Sequence, residues 1–353
     1  MAQEAAHESA HAPGPDERDV AELRRRLLGD SISRERLAAA DDIPAARRFW
    51  RALGFPEPQA WGELELTNAD LDALDKMNSL VSRGVFDLDL ALAMTRAIAR
   101  STDRLAVWQA QLVAETLQDQ NGEAADIAAS GPEAAAALLA SFGELADELE
   151  PLMSYAWRRH LVGALTRIAS DAAPDDPGTG TVRAVGFADL VNFTAVVRRA
   201  SERQLAAMVQ RFEQLASDIV TAHDGRVIKT VGDEVLFVAV EPLAGTAIAL
   251  DLVDAMAEEP MLPQVRVGVA FGQVLSRMGD VFGTTVNRAS RLTAVAPSGR
   301  VLVDESLAAR LASLSGFDLH PLRRRHLRGI GMVTPSDVTR SRGARLPTAL
   351  AGR

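Results

Sequence analysis

The stretch 171–180 (DAAPDDPGTG) divides a chain that follows a helical period before it and mixes helical and strand periods after it. Its Pro, Gly and Asp content satisfies neither period, so it reads as a linker. A chain of 353 residues split in this way is long enough on each side to bury a separate core.

Upstream of the linker the pattern is helical. Val20, Leu23 and Leu27 recur at helical spacing, as do Leu138, Phe142, Leu145 and Leu149. Thr67 and Asp70 have the spacing of a capping box opening a helix through Leu71, Leu74 and Met77. Ser130, Gly131 and Pro132 supply a turn and a first-turn proline before an Ala-rich segment. These signals predict a disordered leader over 1–16 and an all-helical domain over 17–170, with Trp50, Trp61, Trp108 and Trp157 anchoring its packing.

Downstream, the run 182–187 reads as a strand. The segment 201–223 is helical, with Leu205, Met208, Phe212, Leu215 and Ile219 on one face. Two β-rich runs, 226–231 and 235–240, flank Gly232, Asp233 and Glu234 as a hairpin. A helix over 243–256 and a strand over 265–271 follow. The order β-α-β-β-α-β predicts an α+β domain over 181–340, a ferredoxin-like antiparallel sheet with helices on one face. A flexible tail is expected over 341–353. Such a fold hosts many functions, so function has to come from the site.

Composition narrows the function. A net charge of −10 argues against general polyanion binding, so nucleic acid is not an expected partner. The absence of cysteine excludes disulfides, zinc–thiolate centres and thiol nucleophiles, and it suits a reducing cytoplasm. No apolar run approaches the roughly 20 residues of a membrane span. The polar N-terminus lacks a signal-peptide core, so a soluble cytoplasmic protein is expected.

Three segments carry candidate chemistry. In FADLVNFT (187–194), Asp189 ends an apolar strand, where a carboxylate suits a divalent cation bound to phosphates, although such an aspartate is more commonly a helix cap. In KTVGDE (229–234), Asp233 sits in the hairpin turn, and alternation puts Lys229, Val231 and Asp233 on one face. In DVFGTTVNRASRL (280–292), Gly283 permits a tight helix entry, and Asn287 and Arg291 share a helix face.

Taken together and in this order, the three segments resemble the catalytic domain of class III adenylyl and guanylyl cyclases, over about residues 181–340. The resemblance implies that Asp189 and Asp233, with the backbone carbonyl of Leu190, hold two ions of Mg²⁺ or Mn²⁺. It implies that Lys229 and Asp280 recognise the purine, Asn287 orients the ribose and Arg291 stabilises the transition state. In the family the site is shared between subunits, so one chain carrying the whole set implies a homodimer with two equivalent sites. A helical region, linker and catalytic domain in that order are similar to the mycobacterial pH-responsive adenylyl cyclases, whose helical domain is regulatory. His160 is the expected pH-sensing group, with His320 and His326 as alternatives.

The residue types fit the implied reaction, attack of the ribose 3′-oxygen of ATP on the α-phosphorus with pyrophosphate leaving. Adenine presents an acceptor at N1 and a donor at N6, and guanine the reverse. A donor-only lysine with an acceptor-only carboxylate therefore matches ATP rather than GTP. The alternatives are a guanylyl or diguanylate cyclase, or a catalytically weak dimerisation module. The diguanylate reading leaves NRASR unexplained, and the weak-module reading is disfavoured by the presence of both aspartates.

Overall fold

The computed structural model describes residues 17–32, 43–55, 67–121, 131–171 and 181–341. The expected leader, the linker beyond Asp171, the tail beyond Ser341 and Trp61 lie outside these described residues. The chain divides into two compact units, Met1–Ala169 and Ser170–Arg353.

The described part of the first unit is helical: α1 (Glu17–Leu28), α2 (Ile43–Ala52), α3 (Asn68–Ser82), α4 (Leu88–Asn121) and α5 (Gly131–Asp171), which runs on into the second unit. The Thr67 box forms as expected. Its hydroxyl accepts from the Asp70 N–H, and the Asp70 carboxylate accepts from the Thr67 N–H at 2.8 Å. Only part of the tryptophan expectation survives. Trp50 packs on Phe55 with ring centroids 5.0 Å apart, whereas Trp108 and Trp157 are 53% and 62% exposed. The reason is legible in α4, which buries Ala91, Ala99 and Ala114; Trp108 stands about half a turn round the helix from Ala99.

In the second unit the expected β-α-β-β-α-β order is present. It comprises β1 (Thr181–Leu190), the short α6 (Phe193–Val197), α7 (Glu202–Ala222), β2 (Arg226–Val231), β3 (Glu234–Ala239), α8 (Pro242–Glu258) and β4 (Val265–Arg277). Ser201 and Gln204 form a capping box at the start of α7. These strands lie in the order β2-β3-β1-β4, each neighbouring pair antiparallel. Beyond them come β5 (Asp280–Phe282), α9 (Thr284–Val295), β6 (Val301–Val303), α10 (Glu305–Leu311), β7 (Phe317–Pro321), β8 (Arg325–Leu327), β9 (Gly331–Val333) and β10 (Ser336–Arg340). Strand β6 joins β4 in parallel, and β10 and β7 continue the sheet.

Period-2 alternation sends one set of side chains to each face of the sheet. Ala184, Phe237, Val267 and Val269 pack with Phe212 and Ile219 of α7 and Ile248 and Leu252 of α8. Val185, Phe187, Leu236 and Ala270 face the other way, onto Val281 of β5 and Ala289 of α9. Helices therefore cover both faces, which corrects the one-face expectation. The segment that forms α9 is short of large apolar residues, so its packing was not evident from hydrophobic period.

Candidate active site

The register of the sheet lines up Glu234 of β3, Asp189 of β1 and Arg266 of β4 in one transverse row. Their sequence neighbours Val235, Ala188, Leu190, Val265 and Val267 fill the core under α7 and α8. The row itself therefore projects from the α9 face. Arg266 Nε donates to Asp189 Oδ2 at 2.6 Å, and its Nη1 donates to the Ala294 carbonyl at 3.3 Å. Asp233 occupies the two-residue turn between β2 and β3, where its carbonyl accepts from the Leu190 N–H at 3.0 Å. That bond holds the Asp233 turn against the strand end that carries Asp189.

Burial pushes the Asp233 carboxyl above its ordinary value, and the Asp189 charge adds to the effect against a backbone hydrogen bond and Arg266. Burial raises Glu234 as well, followed by the charges of Asp189 and Asp233. Such a crowd of carboxylates fits a divalent cation, which would relieve the repulsion that Arg266 offsets only in part. Among the described residues no three acidic or histidine side chains form a metal cage. A small oxygen donor set of this kind suits Mg²⁺ or Mn²⁺, which keep positions for water and phosphate oxygens. Glu234 and Arg266 were missed from sequence; the pairing of β1 with both neighbours is what places them.

Lys229 reaches the same face through a backbone irregularity. Val227 pairs with Phe237 and Lys229 with Leu236, so Ile228 is the extra residue of a β-bulge. Regular alternation would put Lys229 with Val227, toward α7. The bulge turns it instead to the side of Leu236, which is how bulges beside functional sites re-aim a side chain. There Lys229 Nζ donates to Asp280 Oδ2 at 2.6 Å, and Asp280 Oδ1 accepts the Val281 N–H at 2.8 Å. Burial works against ionisation of Asp280, but the Lys229 bond, the Val281 N–H and the Lys229 charge together outweigh it. Its carboxyl lies below the ordinary value.

Helix α9 lies close along β4 because Gly268 and Gly272 present no side chain to it. A Cβ at Gly268 would stand 2.3 Å from Thr293 N, and one at Gly272 would stand 2.8 Å from Thr285 Oγ1. Gly283 opens the helix at φ 129°, a conformation that favours glycine. Thr285, Ala289, Leu292 and Thr293 are buried. At about 100° per residue, Asn287 and Arg291 then fall on the opposite side of α9, exposed and turned away from the sheet that carries Asp189. Among the described residues neither side chain has a polar partner.

The six expected residues thus form pairs rather than one cluster: Asp189 with Asp233, Lys229 with Asp280, and Asn287 with Arg291. His160 lies exposed on α5, and His320 and His326 are exposed as well. A histidine that no sequence period singles out is His223 at the end of α7, half-buried with its Nε2 2.7 Å from Asp251 Oδ2. Only the fold brings those two together.

The profile of the adenylate and guanylate cyclase catalytic domain matches residues 179–336. An adenylate cyclase of Glutamicibacter nicotianae is 38% identical over 96% of this chain and 86% of its own length. One of Streptomyces coelicolor is 37% identical over 94% of each. A pH-sensitive adenylate cyclase of Mycobacterium tuberculosis is 29% identical over 87% of this chain and 78% of its own.

Proposed function

The chain belongs to the adenylate and guanylate cyclase family, and we propose that it is an adenylate cyclase, converting ATP to 3′,5′-cyclic AMP and pyrophosphate. The observation that carries the ATP assignment is the Lys229–Asp280 ion pair. It sets a donor-only group beside an acceptor-only one on the surface of the α9 face. Adenine can take both at once, through N1 and N6, whereas guanine would meet a donor with a donor and an acceptor with an acceptor. Leaving such groups unpaired discriminates strongly between ligands.

Asp189, Asp233 and the Leu190 carbonyl hold the cations at the strand end. When bound, two divalent ions supply charge neutralisation for the triphosphate and acidify the attacking 3′-hydroxyl. Asn287 orients the ribose so that its 3′-oxygen lies in line with the bond to pyrophosphate. Arg291 donates its planar fork of N–H groups to the charge that builds on the phosphate oxygens. Arg266, already beside Asp189, keeps a positive charge where that charge gathers.

The protein works as a homodimer with two shared sites. Asn287 and Arg291 face away from the aspartates of their own chain, so they serve the aspartates of a second copy. The β4–β5 hairpin supports this assembly. Leu275 and Phe282 pair across it and are exposed, and Met278 at its tip is 74% exposed with φ 53°. A methionine in that backbone conformation and that exposure is at home in an interface.

The helical unit regulates the catalytic one, with His160 on α5 as the candidate regulatory residue; support comes from the pH-sensitive mycobacterial relative. Among the described residues no helix is long and apolar enough to cross a membrane. The test is cyclic AMP production by the full chain with Mg²⁺ or Mn²⁺, from ATP and from GTP, across pH. ATP turnover abolished by Asp189→Ala supports the reading, and GTP turnover equal to that of ATP counts against it. An unchanged pH–activity profile in His160→Ala removes His160 from the account.

A further inference from the structure

Asp304 directly follows β6 and is fully buried. Its Oδ1 accepts the Leu307 N–H at 3.0 Å, capping α10, and the Phe271 N–H of β4 at 3.2 Å. Its Oδ2 accepts Arg288 Nη1 of α9 at 2.9 Å. A helix cap needs only an acceptor, and a serine hydroxyl would serve as well. Burying a carboxylate instead is unfavourable unless a specific charge partner needs it, and burial raises this carboxyl above its ordinary value. The partner is Arg288, whose Nε is itself buried without a hydrogen-bond partner.

Arg288 lies between the two residues that α9 presents to the reaction, directly after Asn287 and about 60° round the helix from Arg291. The seam of α9 against β4 is made of small residues, with Thr285 and Thr293 hydroxyls donating to the Gln273 and Phe187 carbonyls. Those contacts fix the height of the helix over the sheet. The Arg288 arm reaches sideways, to a carboxylate whose other bonds go to backbone N–H groups of β4 and α10.

We propose that Arg288, anchored on Asp304, is a positioning residue that sets the rotation of α9 and hence the aim of Asn287 and Arg291. The inference depends on the adenylate cyclase reading above. Asn287 and Arg291 act at the transition state, so misaiming them lowers kcat more than it raises KM.

The experiment pairs Arg288→Met with Asp304→Ser in the full chain, since the double variant removes both charges and keeps the cap. Thermal midpoint, kcat and KM for ATP with Mn²⁺ are measured for it and for Arg288→Lys. The expected result is a double variant with a near-native midpoint, KM within about threefold of wild type and kcat lower by roughly 10- to 100-fold. Wild-type kcat in the double variant, whatever its midpoint, would overturn the proposal. If the double variant does not fold, Arg288→Lys decides, because it keeps a cation but loses the fork. Lowered kcat at constant KM supports positioning, and wild-type kcat overturns it. No cyclic AMP from the wild type would defeat the cyclase reading itself, whereas an active wild type with unaltered variants defeats only this inference.

Discussion

Asp189 and Arg266 face each other across β1 and β4, with Arg266 Nη2 2.5 Å and Nε 2.6 Å from one carboxylate oxygen. The same row holds Glu234, and Asp233 sits beside it in the turn, so one guanidinium serves a crowd of acids. Arg266→Ala should therefore destabilise the metal-free protein by about 1–3 kcal/mol, because it leaves partly buried carboxylates without a counter-charge. Added Mn²⁺ should recover much of the lost thermal midpoint. A midpoint equal to wild type without metal would show that the pair contributes nothing.

The raised carboxyls of Asp233 and Glu234 give the proposed metal site a pH dependence of defined sign. A carboxyl raised above its unfolded value binds protons more readily in the folded protein, so without metal the folded state loses stability as pH rises through that window. A cation binds the deprotonated form, so its stabilising effect grows in the same direction. The midpoint increase caused by Mn²⁺ should be larger at pH 8 than at pH 5.5 and should shrink in Asp233→Asn. A Mn²⁺ effect independent of pH would contradict the assignment of Asp233 as a ligand.

Arg291→Ala should lower kcat by about 10²- to 10³-fold, the loss of roughly 2.7–4 kcal/mol expected for a donor to developing oxyanion charge. Asp189→Ala should be inactive as well. Mixing the two variants should restore activity, because heterodimers then contain one intact site. If mixtures stay as inactive as either variant, the site is not shared.

The exposed pair Leu275 and Phe282 gives a test of assembly without any activity assay. Leu275→Glu with Phe282→Glu should shift the protein from dimer to monomer in sedimentation, with a thermal midpoint within a few degrees of wild type. A dimer of unaltered stability would place the interface elsewhere.

Much of the catalytic unit was legible because its signals are local. The two-residue turn at Gly232 and Asp233 and the apolar periods of β1 and α7 each declare themselves within a few residues, as the capping box at Thr67 does in the helical unit. What could not be read depends on pairing between distant segments. Arg266 and Glu234 join the site only through strand register, and His223 meets Asp251 only through the packing of α7 and α8. The bulge at Ile228 reverses the face of Lys229 without any Gly or Pro to announce it. Helix α9 covers the second face of the sheet because Gly268 and Gly272 admit it, a fit between two segments that neither period reveals. Trp108 shows the limit of composition, since a large apolar residue on a helix packed through alanines can point outward.

The proposed purine-reading pair, Lys229 and Asp280, bears on the pH dependence as well. The Asp280 carboxyl is lowered: burial opposes ionisation, but the bonds to Lys229 and Val281 and the Lys229 charge outweigh it. The contribution of the pair is present above the unfolded aspartate value, near 3.9, and is lost as pH falls through the lower folded value. The KM for ATP should therefore show no titration from Asp280 between about pH 5 and 8.

The most direct test of the account is the ratio of kcat/KM for ATP over GTP, measured for the wild type and for Lys229→Glu combined with Asp280→Cys. The wild type should favour ATP by on the order of 10²-fold or more, and the double variant should lose most of that preference. A double variant that turns over ATP as well as the wild type, with the same preference, would contradict the claim that this ion pair reads the base.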